Sequence, residues 1–123
     1  APCSATGTAR RHPDVLWSKS ESDIAQLAAV QQAMMSAAAE SVAPGGLLIF
    51  ATCSLQPEEG IDHVSPFLEA HSAFKVEPLT VGEVHGLVET LTPCGCFRSL
   101  PSHLPDRGGM DGFFAARFRR QKG

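Results

Sequence analysis

An unbroken apolar run at residues 47–51 constrains the fold of this chain more than any other stretch. Such a run suits a strand covered on both faces in a parallel sheet, because a half-exposed strand would alternate with polar residues. Pro-Gly-Gly at 44–46 ends the preceding helix, and Pro-Glu-Glu at 57–59 predicts a helix start. Cys53 is therefore predicted at the carboxyl end of a buried strand, where open α/β sheets bind ligands. Its thiol is a candidate nucleophile.

The segment before this strand predicts an amphipathic helix over about 22–42. Ser20 and Asp23 have the spacing of a capping box, and the many alanines favour the helical state. Methionine fills irregular core gaps well, so the two methionines are interpreted as core residues. The residues expected to face the core are Ile24, Leu27, Ala28, Met34, Met35, Ala38 and Val42.

A second helix is predicted over about 57–71. Gly60 should weaken it, and Pro66 should kink it because proline removes a backbone donor and crowds the preceding turn. His63 and His71 are expected on or near its solvent face. The residues expected to face inward are Ile61, Val64, Phe67 and Leu68.

The last third of the chain alternates between short strands and loops. Residues 74–77 alternate in polarity and predict a short strand, while residues 79–96 are interpreted as mostly loop. A brief strand is predicted within 96–101. A turn-rich loop at 106–112 leads to a final strand at 113–119. At 123 residues the chain is predicted to be one domain at most.

The charges are segregated along the chain. Basic residues are concentrated in residues 1–20 and 91–123, whereas residues 21–90 contain ten acidic residues and one lysine. Basic ends can attract an anionic partner, but charge alone favours solvated helix faces and a basic tail. No apolar run approaches the ~20 residues that span a bilayer, and there is no signal-peptide pattern. We expect no membrane association.

The four cysteines do not suggest a disulfide scaffold or a metal site. Cys94 and Cys96 lack a second pair at metal spacing, so a structural zinc is disfavoured and no metal is expected. Reduced thiols in a cytoplasmic protein are the default expectation. Cys3, in a loop of small residues that permits close approach of a ligand, and Cys53 form the sharpest candidate site. Both can equally be inert buried thiols, the commonest fate of a free cysteine.

Three segments then carry a resemblance to a known family. Residues 1–7 (Ala-Pro-Cys-Ser-Ala-Thr-Gly) with Arg-Arg-His-Pro-Asp at 10–14 resemble the Pro-Cys motif of the RNA cytosine-5 methyltransferases of the Sun/NOL/NOP family. Ala-Thr-Cys-Ser at 51–54, followed by Pro-Glu-Glu at 57–59, resembles the family's second cysteine motif. Gly-Met-Asp-Gly-Phe-Phe at 109–114 resembles its closing motif. Three motifs in the family's order make the resemblance specific.

The resemblance implies an α/β fold: the C-terminal half of a class I (Rossmann-like) methyltransferase sheet that uses S-adenosylmethionine, with a final antiparallel strand. Cys53 would attack carbon 6 of a cytosine flipped out of its RNA context, ribosomal RNA above all, and Cys3 would assist release of the adduct. Arg10 and Arg11 would help hold the RNA backbone. From composition alone, phosphate contacts and ordinary surface positions are equally favoured for these two arginines. Pro2 would lie in the loop near the cofactor.

The chain also departs from the family pattern. The acidic residue expected before Ala1 is absent, as is the upstream half with the glycine-rich loop and the ribose-binding acid. We therefore expect residues 1–123 to be the C-terminal part of a catalytic domain, inactive alone, whose strand at 47–53 has an unpaired edge that promotes self-association. The DNA cytosine-5 enzymes attack with a Pro-Cys thiol, so the choice of Cys53 rests on the resemblance. The alternatives are a catalytically dead RNA-binding or assembly module with structural cysteines, and a thiol enzyme of unrelated chemistry.

Overall fold

The computed structural model, which describes residues 1–18, 20–107 and 109–122, is organised around its last strand. Its four strands are β1 (Leu47–Thr52), β2 (Phe74–Val76), β3 (Phe97–Ser99) and β4 (Phe113–Arg120). The strand β4 pairs antiparallel with β1 along one edge, in a register that runs from Leu47 opposite Arg119 to Thr52 opposite Phe114. Its other edge pairs antiparallel with β2 and with β3. The predicted final antiparallel strand is thus confirmed.

Two of the three helices cover one face of this sheet. The helices are α1 (Val15–Ser18), which is largely exposed, and α2 (Glu21–Ser41) and α3 (Val64–Ala70), which pack on the sheet. The helix α2 confirms the predicted long helix, and the reciprocal hydrogen bonds between Ser20 and Asp23 confirm its capping box. Single 3₁₀ turns punctuate the connections at Thr6–Thr8, Pro57–Glu59, Ile61–His63, Gly82–Val84, Val88–Thr90 and Pro105–Arg107. In the described part of the chain, no helix is long and apolar enough to cross a membrane.

The core lies between this covered face and the helices. Alternate residues of β4 point into it, as expected for a strand with one covered face. The aromatic ring of Phe67 on α3 stacks within 4.7 Å of Phe118, measured between ring centroids. The buried apolar residues of this core are Met35, Ala39, Phe50, Val64, Phe67, Phe74, Cys96, Phe114, Ala116 and Phe118. A continuous apolar layer therefore holds the sheet against α2 and α3.

The prediction that the strand at 47–53 is buried on both faces in parallel pairing is wrong for the described residues. Burial alternates along β1, with Phe50 buried and Ile49 63% exposed. In the described residues, Leu47 is also exposed on the same face. Met34, predicted to be core, is likewise 48% exposed, whereas Met35 is buried as predicted. An apolar run does not show how many faces of a strand are covered, and in the described residues the helices pack against the other face of β1.

The predicted helix at 57–71 is broken into two 3₁₀ turns and α3. Gly60 has φ −142° and ψ −105°, which no helix can continue through. Because α3 begins at Val64, Pro66 lies in its first turn, where the missing N–H is no loss, and the expected kink does not arise. Ile61, predicted to face inward, is exposed, and His63, predicted to face solvent, is buried. Because the helix is broken at Gly60, the side chains at 61–63 point in other directions than they would in one continuous helix.

The expectations for the short strands and for the loop at 79–96 are confirmed. The strands β2, β3 and β4 lie where short strands were predicted, and residues 79–96 form loop with two single 3₁₀ turns. His71 is half-buried at the end of α3, where its ring contacts Phe67 and its Nε2 lies 3.2 Å from Ser36 Oγ. The α/β class is confirmed.

Candidate active site

Two cysteines meet at the carboxyl end of β1. Cys53 follows the last residue of β1, and Cys3 lies in the loop that begins the chain. Their Sγ atoms are 3.4 Å apart, and both residues are half-buried. The sequence placed both residues at a candidate site, and the structure brings them together. The two thiols are therefore in contact although 50 positions separate them in the sequence.

Backbone hydrogen bonds join the three sequence motifs at Gly7. The Gly7 N–H donates to the Cys53 carbonyl at 2.9 Å, and the Gly112 N–H donates to the Gly7 carbonyl at 2.7 Å. A Cβ atom at Gly7 would lie 2.1 Å from the Gly112 carbonyl oxygen, so no side chain fits there. The small residues of the first loop were predicted to admit a ligand. At Gly7, the backbone that approaches closely is that of Gly112 and Cys53.

A buried carboxylate holds the residues that follow each cysteine. The Oε1 atom of Glu59 accepts hydrogen bonds from the hydroxyls of Ser4, at 2.5 Å, and Ser54, at 2.7 Å. Its Oε2 atom accepts from the Ser4 backbone N–H and from Gln31 Nε2, both at 2.9 Å. Glu59 is 0% exposed, so its charge is compensated entirely by these four donors. The carboxylate fixes the two cysteine loops relative to one another.

A second layer extends this network into the long helix. Gln31, fully buried on α2, also donates from Nε2 to the Pro2 carbonyl at 2.8 Å. Its Oε1 lies 2.9 Å from Nε2 of His63 and must accept, so the His63 ring carries its proton on Nε2. Burial lowers the pKa of His63, although the charges of Asp62 and Glu59 oppose this. A neutral His63 thus orients Gln31 toward Glu59.

Cys53 rests as a protonated thiol. Burial raises the pKa of Cys53, and the hydrogen bond and charge of Cys3 raise it further. Cys53 precedes one 3₁₀ turn rather than the predicted long helix, so the dipole expected to favour its thiolate is weak. An attacking Cys53 must therefore lose its proton when substrate binds.

The paired arginines converge on the closing motif. Arg11 Nη2 lies 2.5 Å from Asp111 Oδ2, and Arg10 Nε lies 3.0 Å from Asp111 Oδ1. The hydrogen bond from Arg11 is the largest of the causes that lower the pKa of Asp111. Both guanidinium groups remain substantially exposed beyond this carboxylate. A net positive charge therefore stands beside the cysteines.

Arg98 supports the second cysteine loop from the other side. Its Nη1 donates to the Ser54 carbonyl at 2.5 Å, and its guanidinium lies 5.1 Å from the centre of the Phe114 ring. Burial lowers the pKa of Arg98, as desolvation does for any cation. The carbonyl beside Cys53 is thus held by a fixed positive charge.

Sequence reasoning identified the thiols and arginines but missed the residues that position them, which are Gln31, Glu59, His63, Arg98 and Asp111. One signal was present: Gln31 lies on the predicted apolar stripe, four residues from both Leu27 and Met35. A polar side chain on a buried helix face needs a buried partner. No comparable signal distinguishes Glu59 from its exposed neighbour Glu58.

The described residues do not by themselves fit S-adenosylmethionine. A nucleoside cofactor of an α/β fold needs a carboxylate that is free to bind its ribose hydroxyls. The carboxylates at this site, Glu59 and Asp111, are bound to Ser4, Ser54, Gln31 and the two arginines. The carbonyl of Pro2, the residue predicted to lie near the cofactor, accepts from Gln31. Within the described residues, this site supplies thiols and cations rather than a pocket for the cofactor.

Comparison with known proteins gives matches over nearly the whole chain. The profile of a family described as 16S rRNA methyltransferase RsmB/F matches residues 1–119. Ribosomal RNA small subunit methyltransferase B of Pasteurella multocida is 39% identical over 120 residues, which are 98% of this chain and 24% of that protein. The chain thus spans about a quarter of the length of the curated relatives it matches.

Two solved structures share the fold. The protein PH0851 superposes with a TM-score of 0.81 at 31% identity, covering 98% of this chain and 25% of its own. NSun6 from Pyrococcus horikoshii superposes with a TM-score of 0.74 at 26% identity, covering 100% of this chain and 29% of its own. The NSun6 structure was determined with SFG, an analogue of S-adenosylmethionine.

Proposed function

Because this chain belongs to the RsmB/F family of 16S rRNA methyltransferases, we propose that the protein methylates carbon 5 of a cytosine in ribosomal RNA. S-adenosylmethionine is the methyl donor in this family. The observation that carries the proposal is the contact between Cys3 and Cys53, whose Sγ atoms are 3.4 Å apart at the carboxyl end of β1. Reduced thiols at this site agree with a protein that acts in the cytoplasm.

Cys53 is the proposed nucleophile. Its sulfur forms a bond to carbon 6 of the flipped-out cytosine, and the electrons displaced from the 5,6 double bond make carbon 5 nucleophilic. The assignment of Cys53 rather than Cys3 follows the family resemblance of the Ala-Thr-Cys-Ser motif. Glu59 and Arg98 support it by binding the hydroxyl and the carbonyl of Ser54, the residue that follows Cys53.

Cys3 is the proposed partner in adduct release. When the proton on carbon 5 is lost, the bond between carbon 6 and sulfur breaks and Cys53 leaves as a thiolate. The Cys3 thiol, in hydrogen-bond distance of Cys53, can return a proton to that thiolate and so prevent renewed attack. The raised pKa of Cys53 supports this role, because a basic thiolate accepts a proton readily.

Arg10 and Arg11 are the proposed RNA contacts. Asp111 neutralises one of their two charges and holds both side chains at the mouth of the site. The exposed part of each guanidinium group suits phosphate oxygens, which accept from guanidinium groups bidentately. The arginines thus orient the RNA strand while the base enters toward Cys53.

We also propose that a polypeptide of these 123 residues alone does not catalyse transfer, because the carboxylates at its site are already engaged.

In the described residues, β1 pairs with β4 on one edge only, and its exposed face carries Leu47 and Ile49. The unpaired edge of β1 promotes pairing between copies of this chain. Light scattering across a concentration series tests this self-association, and a monomer throughout would refute it.

The decisive experiment uses the longest protein that contains this chain, tritiated S-adenosylmethionine and ribosomal RNA. Cys53→Ser should reduce transfer more than about 1,000-fold, because the covalent step is lost. Cys3→Ser should instead accumulate a covalent protein–RNA adduct, visible as a shifted band on a denaturing gel. A reversed pattern would make Cys3 the nucleophile. Unchanged transfer in both variants would leave an RNA-binding or assembly module with structural cysteines.

A further inference from the structure

A second pair of thiols lies away from the proposed active site. Cys94 and Cys96 flank Gly95 in a tight turn, and their Sγ atoms are 3.1 Å apart. The Gly95 N–H donates to the Thr92 carbonyl at 2.9 Å, and the Thr92 N–H donates to the Cys96 carbonyl at the same distance. Gly95 has φ +88°, a conformation that other residues rarely adopt. The backbone therefore holds the two sulfurs in contact.

The two thiols differ in their surroundings. Cys94 is exposed, whereas Cys96 is buried in the core with Phe114. Thr92 Oγ1 accepts from the Cys96 N–H at 3.0 Å, so its hydroxyl hydrogen is available to Cys94 Sγ, 3.1 Å away. In the neutral pair the Cys94 thiol donates to Cys96 Sγ. A thiolate at Cys94 would instead accept from the Thr92 hydroxyl and from the Cys96 thiol.

Their acidities diverge accordingly. Burial opposes ionisation of Cys94, but hydrogen bonds from Thr92, from the Cys96 thiol and from backbone N–H groups outweigh it and lower the pKa of Cys94. Burial, together with the hydrogen bond and charge of Cys94, raises the pKa of Cys96 to about 12. An exposed acidic thiol beside a protonated buried one is the arrangement of an attacking and a resolving cysteine.

We infer that Cys94 and Cys96 form a redox-active dithiol that hydroperoxides convert to an intramolecular disulfide. The Cys94 thiolate attacks the peroxide, which forms a sulfenic acid and releases an alkoxide that is protonated to the alcohol. The Cys96 thiol then attacks the Cys94 sulfur, the S–S bond forms, and water leaves. Two thiols are oxidised and one peroxide is reduced to an alcohol and water.

The second step is favoured by the first. While Cys94 is a thiolate, its charge and its hydrogen bond hold the proton on Cys96. The sulfenic acid carries no charge, so two of the causes that raise the pKa of Cys96 disappear. The sulfurs need to approach by only about 1 Å to reach disulfide distance. Both members of the Cys3–Cys53 pair are half-buried, and the pKa of Cys53 is raised.

The test exposes the longest protein that contains this chain to graded hydrogen peroxide, blocks free thiols with a maleimide and maps the products by mass spectrometry. We expect the peptide spanning 92–98 to lose two hydrogen atoms at peroxide doses that leave Cys3 and Cys53 fully alkylated. Cys94→Ser should abolish this loss without changing the oxidation of Cys3 and Cys53. Cys96→Ala should leave a sulfenic acid at Cys94 that a carbon nucleophile such as dimedone traps.

Two outcomes would overturn the inference. One is a disulfide between Cys3 and Cys53 that forms at a lower dose than any change at Cys94. The other is conversion of Cys94 to a sulfinic acid, without loss of the Cys96 thiol, in the unsubstituted protein. Because Cys94 is exposed and serine is close to cysteine in size, Cys94→Ser should fold even if Cys96→Ala does not. The first variant therefore decides the question alone.

Discussion

The Sγ atoms of Cys3 and Cys53 lie within hydrogen-bond distance although the two residues are separated by 50 positions. The Cys3 thiol therefore affects the ionisation of Cys53. Burial is the main cause that raises the pKa of Cys53, and the hydrogen bond and charge of Cys3 add to it. Removing Cys3 should leave the first cause and eliminate the other two.

We expect Cys3→Ala to increase the rate at which iodoacetamide alkylates Cys53 at pH 7.5 by about 3- to 10-fold, because thiolate is the reacting form. The rate constant, followed by mass spectrometry of the peptide that contains Cys53 between pH 6 and 10, should show its inflection at lower pH in the variant. Cys94→Ala is the matched control and should leave the Cys53 profile unchanged. An unchanged inflection in Cys3→Ala would contradict the proposed coupling.

Glu59→Gln should weaken the fold around both cysteines. The carboxylate accepts four hydrogen bonds from Ser4, Ser54 and Gln31, whereas a glutamine amide keeps one acceptor oxygen and its NH2 group forces the Ser4 and Ser54 hydroxyls to turn and accept, so their charge-assisted bonds are lost. We expect a loss of about 3 kcal/mol in the free energy of unfolding, measured by urea titration. The exposed neighbour Glu58→Gln should change it by less than about 0.5 kcal/mol. Equal losses in the free energy of unfolding of the two variants would show that the buried hydrogen bonds of Glu59 do not stabilise the fold.

Gly7→Ala should disrupt the junction of the three motifs. A methyl group there would overlap the backbone carbonyls of Gly112 and Cys53, which cannot move without breaking their hydrogen bonds to Gly7. The expected loss in the free energy of unfolding is about 3 kcal/mol. Gly82→Ala provides the control, because no atom lies within 4 Å of the added carbon and the backbone there is unstrained. Comparable thermal midpoints for the two variants would argue against this close approach.

The sequence was sufficient to locate the thiols, because the carboxyl end of a strand is a recurring place for chemistry in α/β sheets. It was not sufficient to locate Glu59. Pro-Glu-Glu at 57–59 predicts two carboxylates that favour a helix dipole in solvent, and nothing local determines which of them turns inward. That choice depends on Ser4 and Gln31, which are distant in sequence and adjacent only after folding.

The same limit explains the error at β1. The apolar residues at 47–51 fit a doubly covered strand, but coverage depends on what packs against Leu47 and Ile49. Similarly, Gly60 was recognised as a weak point, yet the rotation that turns His63 inward follows from its φ and ψ angles, which a helical pattern cannot supply. Local periodicity predicted where elements lie, and long-range contacts determined which faces they bury.

Stability should decrease as the pH falls because of His63. Burial lowers the pKa of His63 in the folded protein below that in the unfolded chain, so the unfolded chain binds more protons in this range. The free energy of unfolding should therefore fall as the pH drops below about 6.5, the ordinary histidine pKa, and level off below the folded-state pKa. Urea titrations between pH 5 and 7.5 should show a flatter profile in His63→Gln. The exposed His85→Gln should keep the original slope, and a steeper slope in His63→Gln would reverse the assignment.

Arg11 should contribute to RNA affinity as a charge. The side chain of Arg11 is 55% exposed while it binds Asp111, so it can contact a phosphate without leaving the carboxylate. Arg11→Ala should weaken RNA binding and reduce the slope of log K against log salt by about 0.7–0.9, the value for one lost phosphate contact. Lys75→Ala, at an exposed lysine on β2, which pairs with the far end of β4, is the control and should preserve the slope.

The same change also removes one partner of Asp111, so weaker binding has a second possible cause in a loosened loop. Arg11→Lys separates the two, because lysine retains the charge but loses the bidentate geometry that holds Asp111. A phosphate contact predicts that Arg11→Lys keeps the full salt slope. A structural role predicts instead that Arg11→Lys and Asp111→Asn lower affinity together, at all salt concentrations, with no change in slope. Fluorescence anisotropy of a labelled ribosomal RNA hairpin between about 50 and 300 mM salt distinguishes these results.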